Sequence, residues 1–103
     1  MRTFRLSALA TDDLLSIAAY TWNTWGEAQM AKYVDTLEQC AQRLAGNPKL
    51  GRPCVSIRPG LRRFEKAEHV IYYREKEYGI RVLRILHRSM LPEYHELEDP
   101  DAK

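Results

Sequence analysis

The side chains with the most chemical reach crowd into the second half of the chain. His87 can take up or release a proton near neutral pH, so it could act as a general acid or base. Arg62, Arg63, Arg81, Arg84 and Arg88 surround it in sequence and supply fixed cations whose paired N–H donors suit anionic oxygens. Glu65 or Glu68 could pair with the histidine, and Tyr94 lies just beyond. A blander reading has Arg62, Arg74, Arg81 and Arg84 pairing across strands with Glu65, Glu75 or Glu77 for about 0.2–1 kcal/mol each. His69 opens a strand and reads as a structural hydrogen-bonding residue, whereas His95 lies in an acidic stretch and reads as solvated. Cys40 falls in a helical pattern and Cys54 in a turn-rich segment. They form no CxxC, and no histidine stands at ligand spacing from either. They read as a core thiol and a loop thiol in a reducing compartment, with no metal and no cofactor implied.

Charge is divided along the chain. Residues 1–57 sum to +1, residues 58–88 to +5 and residues 89–103 to −4, for a net +2. A basic block followed by an acidic tail from about residue 92 points to an acidic partner for the block, either nucleic acid or an acidic peptide. The 103 residues make one domain, 1–103, large enough to hold a core without disulfides or metal. Hydrophobic residues at 45% and charged residues at 29% are near globular averages, which excludes wholesale disorder. No stretch approaches the roughly 18–20 apolar residues of a membrane span. The charged, alternating start Met1-Arg2-Thr3-Phe4-Arg5 is unlike a signal peptide. A membrane protein, a secreted disulfide scaffold and a multidomain enzyme are thereby excluded.

Elements that could position these side chains follow from the spacing of apolar residues. Thr3 to Leu9 alternates with a period of two and predicts a strand. Thr11 reads as a helix cap, with Asp12 and Asp13 favoured in the first turn. Leu14, Ile17, Ala18, Thr21, Trp22 and Trp25 follow at helical spacing up to Gly26. Both tryptophans read as core, the alternative being an exposed rim offered to a partner. A second helix from about Glu27 carries the stripe Met30, Tyr33, Val34, Leu37, Cys40, Ala41 and Leu44 and stops at Gly46-Asn47-Pro48. The short link makes the two helices a hairpin.

Residues 47–60 hold Pro48, Gly51, Pro53, Pro59 and Gly60 and read as an irregular connection. Strands are predicted over Leu61–Ala67, His69–Arg74 and Ile80–His87, the last two joined by Glu75–Gly79 with Gly79 at positive φ. Simple alternation puts Ile80, Val82, Arg84 and Leu86 on one face and Arg81, Leu83, Ile85 and His87 on the other. Pro92 could begin a short helical turn. The expected fold is therefore α+β, β-α-α-β-β-β, with a four-stranded sheet. One helical hairpin covers one face, so the other face is expected to stay open, apolar residues mixed with arginines, as a partner site.

Several pieces of this chain, in order over residues 3–92, resemble the ParE branch of the RelE/ParE toxin superfamily. They are Tyr20-Thr21 with Trp25-Gly26, then Leu44-Ala45 with Asn47-Pro48 and Gly51-Arg52, then Gly60-Leu61-Arg62-Arg63. The strand His69-Val70-Ile71-Tyr72-Tyr73-Arg74 and the ending Arg84-Ile85-Leu86-His87 with Met90 complete the set. The resemblance departs at Ser89-Met90-Leu91, where the family commonly has an arginine before the methionine and an acid after it.

The resemblance implies the toxin of a bacterial, cytoplasmic type II toxin–antitoxin pair. Such a toxin binds DNA gyrase and traps its cleaved-DNA state without chemistry of its own. It is neutralised by a ParD-like antitoxin, through which alone the complex holds operator DNA. The partner-binding residues expected are Arg62, Arg74, Arg81, Arg84, His87, Arg88 and Met90. The alternative is a RelE-like ribosome-dependent mRNA endonuclease, with His87, Arg81 and Arg62 as its catalytic group. Tyr94 stands seven residues past His87, and Arg88 takes the place next to the histidine where related nucleases have a tyrosine.

Overall fold

The computed structural model describes residues 2–95 and 97. Its order is β1 (Thr3–Leu6), α1 (Ala8–Trp25), α2 (Glu27–Gly46), β2 (Arg52–Pro53), β3 (Leu61–Lys66), β4 (His69–Lys76) and β5 (Gly79–His87). Short 3-10 turns occupy Pro48–Leu50 and Pro92–Tyr94, the second at the turn predicted for Pro92. The acidic residues Glu96, Glu98, Asp99 and Asp101 of the tail lie outside the described residues.

The sheet is mixed and has five strands, ordered β1-β5-β4-β3-β2, rather than four. β1 runs parallel to β5, and the remaining pairs are antiparallel. The extra strand is the two-residue β2, inside the connection expected to be irregular; it pairs Arg52 with Arg63 and Pro53 with Arg62. Proline lacks the N–H of a central strand, so β2 is tolerated as an edge.

The first helix begins earlier than its sequence suggests. Ser7, not Thr11, is the cap: its hydroxyl accepts from Ala10 N at 3.0 Å and donates to Leu83 O at 2.8 Å. β1 therefore ends at Leu6 and not Leu9, and Asp13 moves out of the first turn. The local alternation that extended the strand is overridden by a serine that satisfies both a helix end and the neighbouring strand. At the other end Gly26 turns the chain at φ 94° into α2, closing the expected hairpin.

Helix-side packing joins Ala10 and Ile17 of α1, Leu37, Cys40, Ala41, Leu44 and Ala45 of α2, and Ile71, Tyr73, Ile80, Val82 and Ile85 of the sheet. The Tyr73 hydroxyl accepts from Gly51 N at 2.8 Å and donates to Pro48 O at 2.7 Å, pinning the turn after α2 to the sheet. Gly79, at φ 144°, closes the two-residue β4–β5 hairpin, and a Cβ there would run into the Thr3 backbone.

Simple alternation fails along β5. Tyr73 pairs with Val82 while Tyr72 pairs with Arg84, so Leu83 is an extra residue, a β-bulge. The bulge shifts the parity. Ile80, Val82 and Ile85 face the helices, whereas Leu83 and Leu86 face away. A one-residue slip of this kind moves every later side chain to the other face.

The face away from the helices is also not open as expected. Its apolar part, Leu61, Val70, Tyr72, Leu83 and Leu86, is buried under Cys54 and Ile57 of the connection and Leu97 of the C-terminal segment. Its arginine part remains at the surface.

Candidate partner-binding surfaces

The seven sequence-predicted residues do not form one patch; the pleat and the bulge sort them into three places. On the face away from the helices, Arg81 of β5 is directly opposite Arg74 of β4. Arg81 is in turn opposite Arg5 of β1, a residue that the sequence reading did not single out. Three arginines thus stand in register across three adjacent strands. Arg5 lies over the Tyr78 ring, 4.1 Å from its centroid, and Arg74 Nη1 donates to Pro59 O at 2.7 Å.

Two other arginines are held inward. Arg84 forms a two-pronged pair with Asp13, Nε to Oδ2 at 2.8 Å and Nη2 to Oδ1 at 3.0 Å. Asp13 Oδ2 also accepts from Ile85 N at 2.9 Å. Because β1 ends at Leu6, this carboxylate supplies an acceptor beyond the end of that strand. Arg62, on the helix side of β3, donates to Gly51 O at 2.6 Å and fixes the same turn as Tyr73.

His87, Arg88 and Met90 gather at the far end of β5. Ser89 N donates to His87 Nδ1 at 3.1 Å, so that nitrogen carries no proton, and Ser89 Oγ lies 2.7 Å from it. The proton is then on Nε2, 3.9 Å from Glu68 Oε2. Arg88 Nε meets the same carboxylate oxygen at 2.9 Å. The His87 ring contacts His69 edge-on, and His69 Nδ1 lies 2.6 Å from the Tyr33 hydroxyl on α2. Burial, then the neighbouring His87, pushes the His69 pKa down, against the opposing pull of Glu68 and Asp13. Burial raises that of Tyr33. His69 is therefore the structural hydrogen-bonding residue expected of it. Arg88 and Met90 are exposed.

This geometry separates His87, Arg81 and Arg62. Arg62 and Arg81 project from opposite faces of the sheet. His87 is six residues along β5 from Arg81, about 20 Å in an extended strand. The three do not converge on one scissile bond.

A further surface lies on α1, where the tryptophans expected in the core are exposed. Leu15, Trp22 and Trp25 are 64%, 51% and 70% exposed, at i, i+7 and i+10 along one helical stripe. The buried line of α1 is instead Ala10, Ile17 and Thr21. α2 gives five buried side chains to the core under the helices and α1 only Ala10 and Ile17, so the bulky stripe of α1 is left outward. Among the described residues no helix is long and apolar enough to cross a membrane, and no three His, Cys, Asp or Glu side chains are grouped as metal ligands.

The fold is thus a helical hairpin on a small mixed sheet, with arginine-rich and aromatic surfaces on separate sides. Comparison with known proteins makes the class specific. Residues 4–92 match the family model described as the ParE toxin of the type II toxin–antitoxin system parDE. Toxin ParE1 of Caulobacter vibrioides is 37% identical over 97 residues, 92% of this chain and 98% of the relative. Toxin ParE1 of Mycobacterium tuberculosis is 38% identical over 88 residues, 84% and 90% of the two chains. A solved structure titled "Chromosomal ParDE TA system from P. aeruginosa" superposes with a TM-score of 0.70 at 26% identity, covering 84% of this chain and 96% of that one. The chain belongs to the ParE toxin family of type II toxin–antitoxin systems.

Proposed function

We propose that this toxin inhibits DNA gyrase by binding and trapping its DNA-cleavage state, in the bacterial cytoplasm, with no chemistry of its own. A ParD-like antitoxin neutralises it, and only through that antitoxin does the complex hold operator DNA. Family membership supports the toxin role. One observation favours binding over catalysis: His87, Arg81 and Arg62, the set an mRNA endonuclease would use, are spread over both faces and far along the sheet. Catalysis by acid–base and charge stabilisation needs these groups within hydrogen-bond reach of one substrate.

The partner surface comprises the arginine face through Arg74 and Arg81 and the strand end through His87, Arg88 and Met90. Arg62 and Arg84 contribute by holding the Gly51 turn and α1 in place. The α1 stripe adds an apolar surface suited to an amphipathic partner segment.

The test is a purified gyrase assay with supercoiled plasmid, ATP and titrated toxin, scored for linear DNA after the enzyme is denatured. Linear product that rises with toxin and disappears on adding antitoxin is the expected result. Toxin that stops growth yet leaves gyrase unaffected would overturn the reading and move the target to the ribosome.

A further inference from the structure

A cleft of about 420 Å³ opens between the β2–β3 connection and the C-terminal turn. Its lining includes Ile57 and Arg58 from the first and Pro92, Glu93, His95 and Leu97 from the second. That volume falls within the roughly 300–1,000 Å³ of ordinary binding clefts. Both walls hold their own shape. Ile57 N and Arg58 N donate to Cys54 O at 2.9 and 3.0 Å, and Tyr94 N and His95 N donate to Leu91 O and Pro92 O, each at 3.1 Å. The cleft is therefore formed before anything enters it. Its apolar lining is Pro92 and Leu97, both buried, with Ile57 half-buried. Arg58 and Glu93 are exposed at its mouth, and His95 is half-buried beside them.

Arg58 differs from the other arginines of the basic block. Arg62 holds Gly51 O, Arg74 holds Pro59 O, Arg84 holds Asp13, and Arg63 and Arg88 meet Glu65 and Glu68. Arg81 is engaged as well. Among the described residues the Arg58 side chain makes no ion pair, hydrogen bond or ring contact, and Glu93 in the same cleft does not pair with it. One available guanidinium suits one carboxylate. A nucleic-acid backbone is held by several cations at once, and single strands stack on open rings. The described lining offers one such cation, a carboxylate that opposes phosphate, and no Phe, Tyr or Trp. The chain itself illustrates the chemistry this side of the sheet accepts: Leu97, between Glu96 and Glu98 in sequence, is 3% exposed there.

We propose that this cleft docks an acidic partner peptide segment, seating one aliphatic side chain against Ile57, Pro92 and Leu97 and one carboxylate on Arg58. The segment enters beside Leu97 and not in its place, so the cluster of Cys54, Leu61 and Leu83 stays closed. The site includes none of the residues assigned above to a partner, and it does not depend on which macromolecule the toxin inhibits. The apolar lining supplies affinity, and the charges at the mouth supply the choice of segment.

The experiment is fluorescence anisotropy with the full chain and a labelled peptide of acidic residues around a single leucine. Saturable binding is expected, and the same peptide with alanine for leucine should bind about tenfold or more weakly. Arg58→Gln should weaken binding about two- to fivefold, and Glu93→Gln should strengthen it, opposite signs that mark one cleft. Both side chains are exposed and make no ion pair among the described residues, so both variants should keep the parent Tm. In amide NMR spectra the signals of Ile57, Arg58, Tyr94 and His95 should move on titration while those of Trp22 and Trp25 stay. No saturable binding, equal binding of the alanine peptide, or an Arg58→Gln chain that binds like the parent overturns the proposal. So does tighter binding of duplex DNA or single-stranded RNA than of the peptide, or amide shifts centred on α1.

Discussion

At the scale of single residues, the side chains that organise this protein are those that satisfy two elements at once. Asp13 holds both Arg84 and the Ile85 amide, with its side chain and that of Arg84 only 15% and 14% exposed. Asp13→Ala removes the two-pronged carboxylate from a nearly buried guanidinium and the acceptor from a strand amide together, and should cost about 3 kcal/mol in urea unfolding. Asp13→Asn, which keeps an acceptor for the amide, should cost less. His69 gives a pH dependence. Its folded pKa lies below the unfolded value of 6.5, so the folded state binds fewer protons than the unfolded chain. The stability it contributes is present above pH 6.5 and is lost as the pH falls through that value and on through the lowered folded pKa. Tm should therefore drop between about pH 7.5 and pH 5.5, and His69→Gln should flatten that drop. The groups facing it are Tyr33 on α2, His87 on β5, the adjacent Glu68 and, from α1, Asp13. His87→Gln, which removes the neighbouring imidazole, should lessen the lowering of the His69 pKa and so make the drop shallower.

At the scale of elements, the sequence exposes what periodicity carries and hides what a single residue decides. Both helices, the hairpin turn at Gly26 and strands β3 to β5 are legible, because apolar spacing and glycine punctuation coincide there. The Leu83 bulge is not legible, since one extra residue leaves no compositional trace and yet exchanges Leu86 for Ile85 on the helix side. β2 is missed because two residues, one of them a proline, carry no period. The closed face is missed because Leu97, in an acidic stretch that looks solvated, is 3% exposed and packs with Cys54, Leu61 and Leu83. The candidate partner residues were found by type, but their faces depended on the bulge, and Arg5 had no signal beyond one charge in a strand. Leu97 also has a measurable role. Burial raises the Cys54 and Cys40 thiol pKa values, so both should react slowly with iodoacetamide. Leu97→Ala should open the second cluster locally and speed Cys54 alkylation about tenfold, as a loss of about 1.4 kcal/mol in local opening would. Cys40, in the other cluster, should keep its rate; equal acceleration of both would mean global rather than local loosening.

At the scale of the whole molecule, the sheet separates two surfaces of opposite character. The helix layer presents Leu15, Trp22 and Trp25 outward, while the far face presents Arg5, Arg81 and Arg74. A partner on the first surface gains by burying apolar area and is insensitive to salt, whereas one on the second gains by charge neutralisation and is weakened by it. If the antitoxin supplies an amphipathic segment to the α1 stripe, both tryptophans pass from water into an apolar contact and their emission should shift to the blue on mixing. Trp22→Ala and Trp25→Ala should each weaken the complex by about 2 kcal/mol, the usual scale for an aromatic anchor at an interface. Because both side chains are more than half exposed in the free toxin, the substitutions should leave its Tm nearly unchanged. Raising KCl from about 0.1 to 0.5 M, which shortens the screening length from about 10 Å to less than half that, should spare this contact and abolish binding through the arginine row. An antitoxin complex that keeps its affinity in both tryptophan variants but dissociates in salt would place the antitoxin on the arginine face instead.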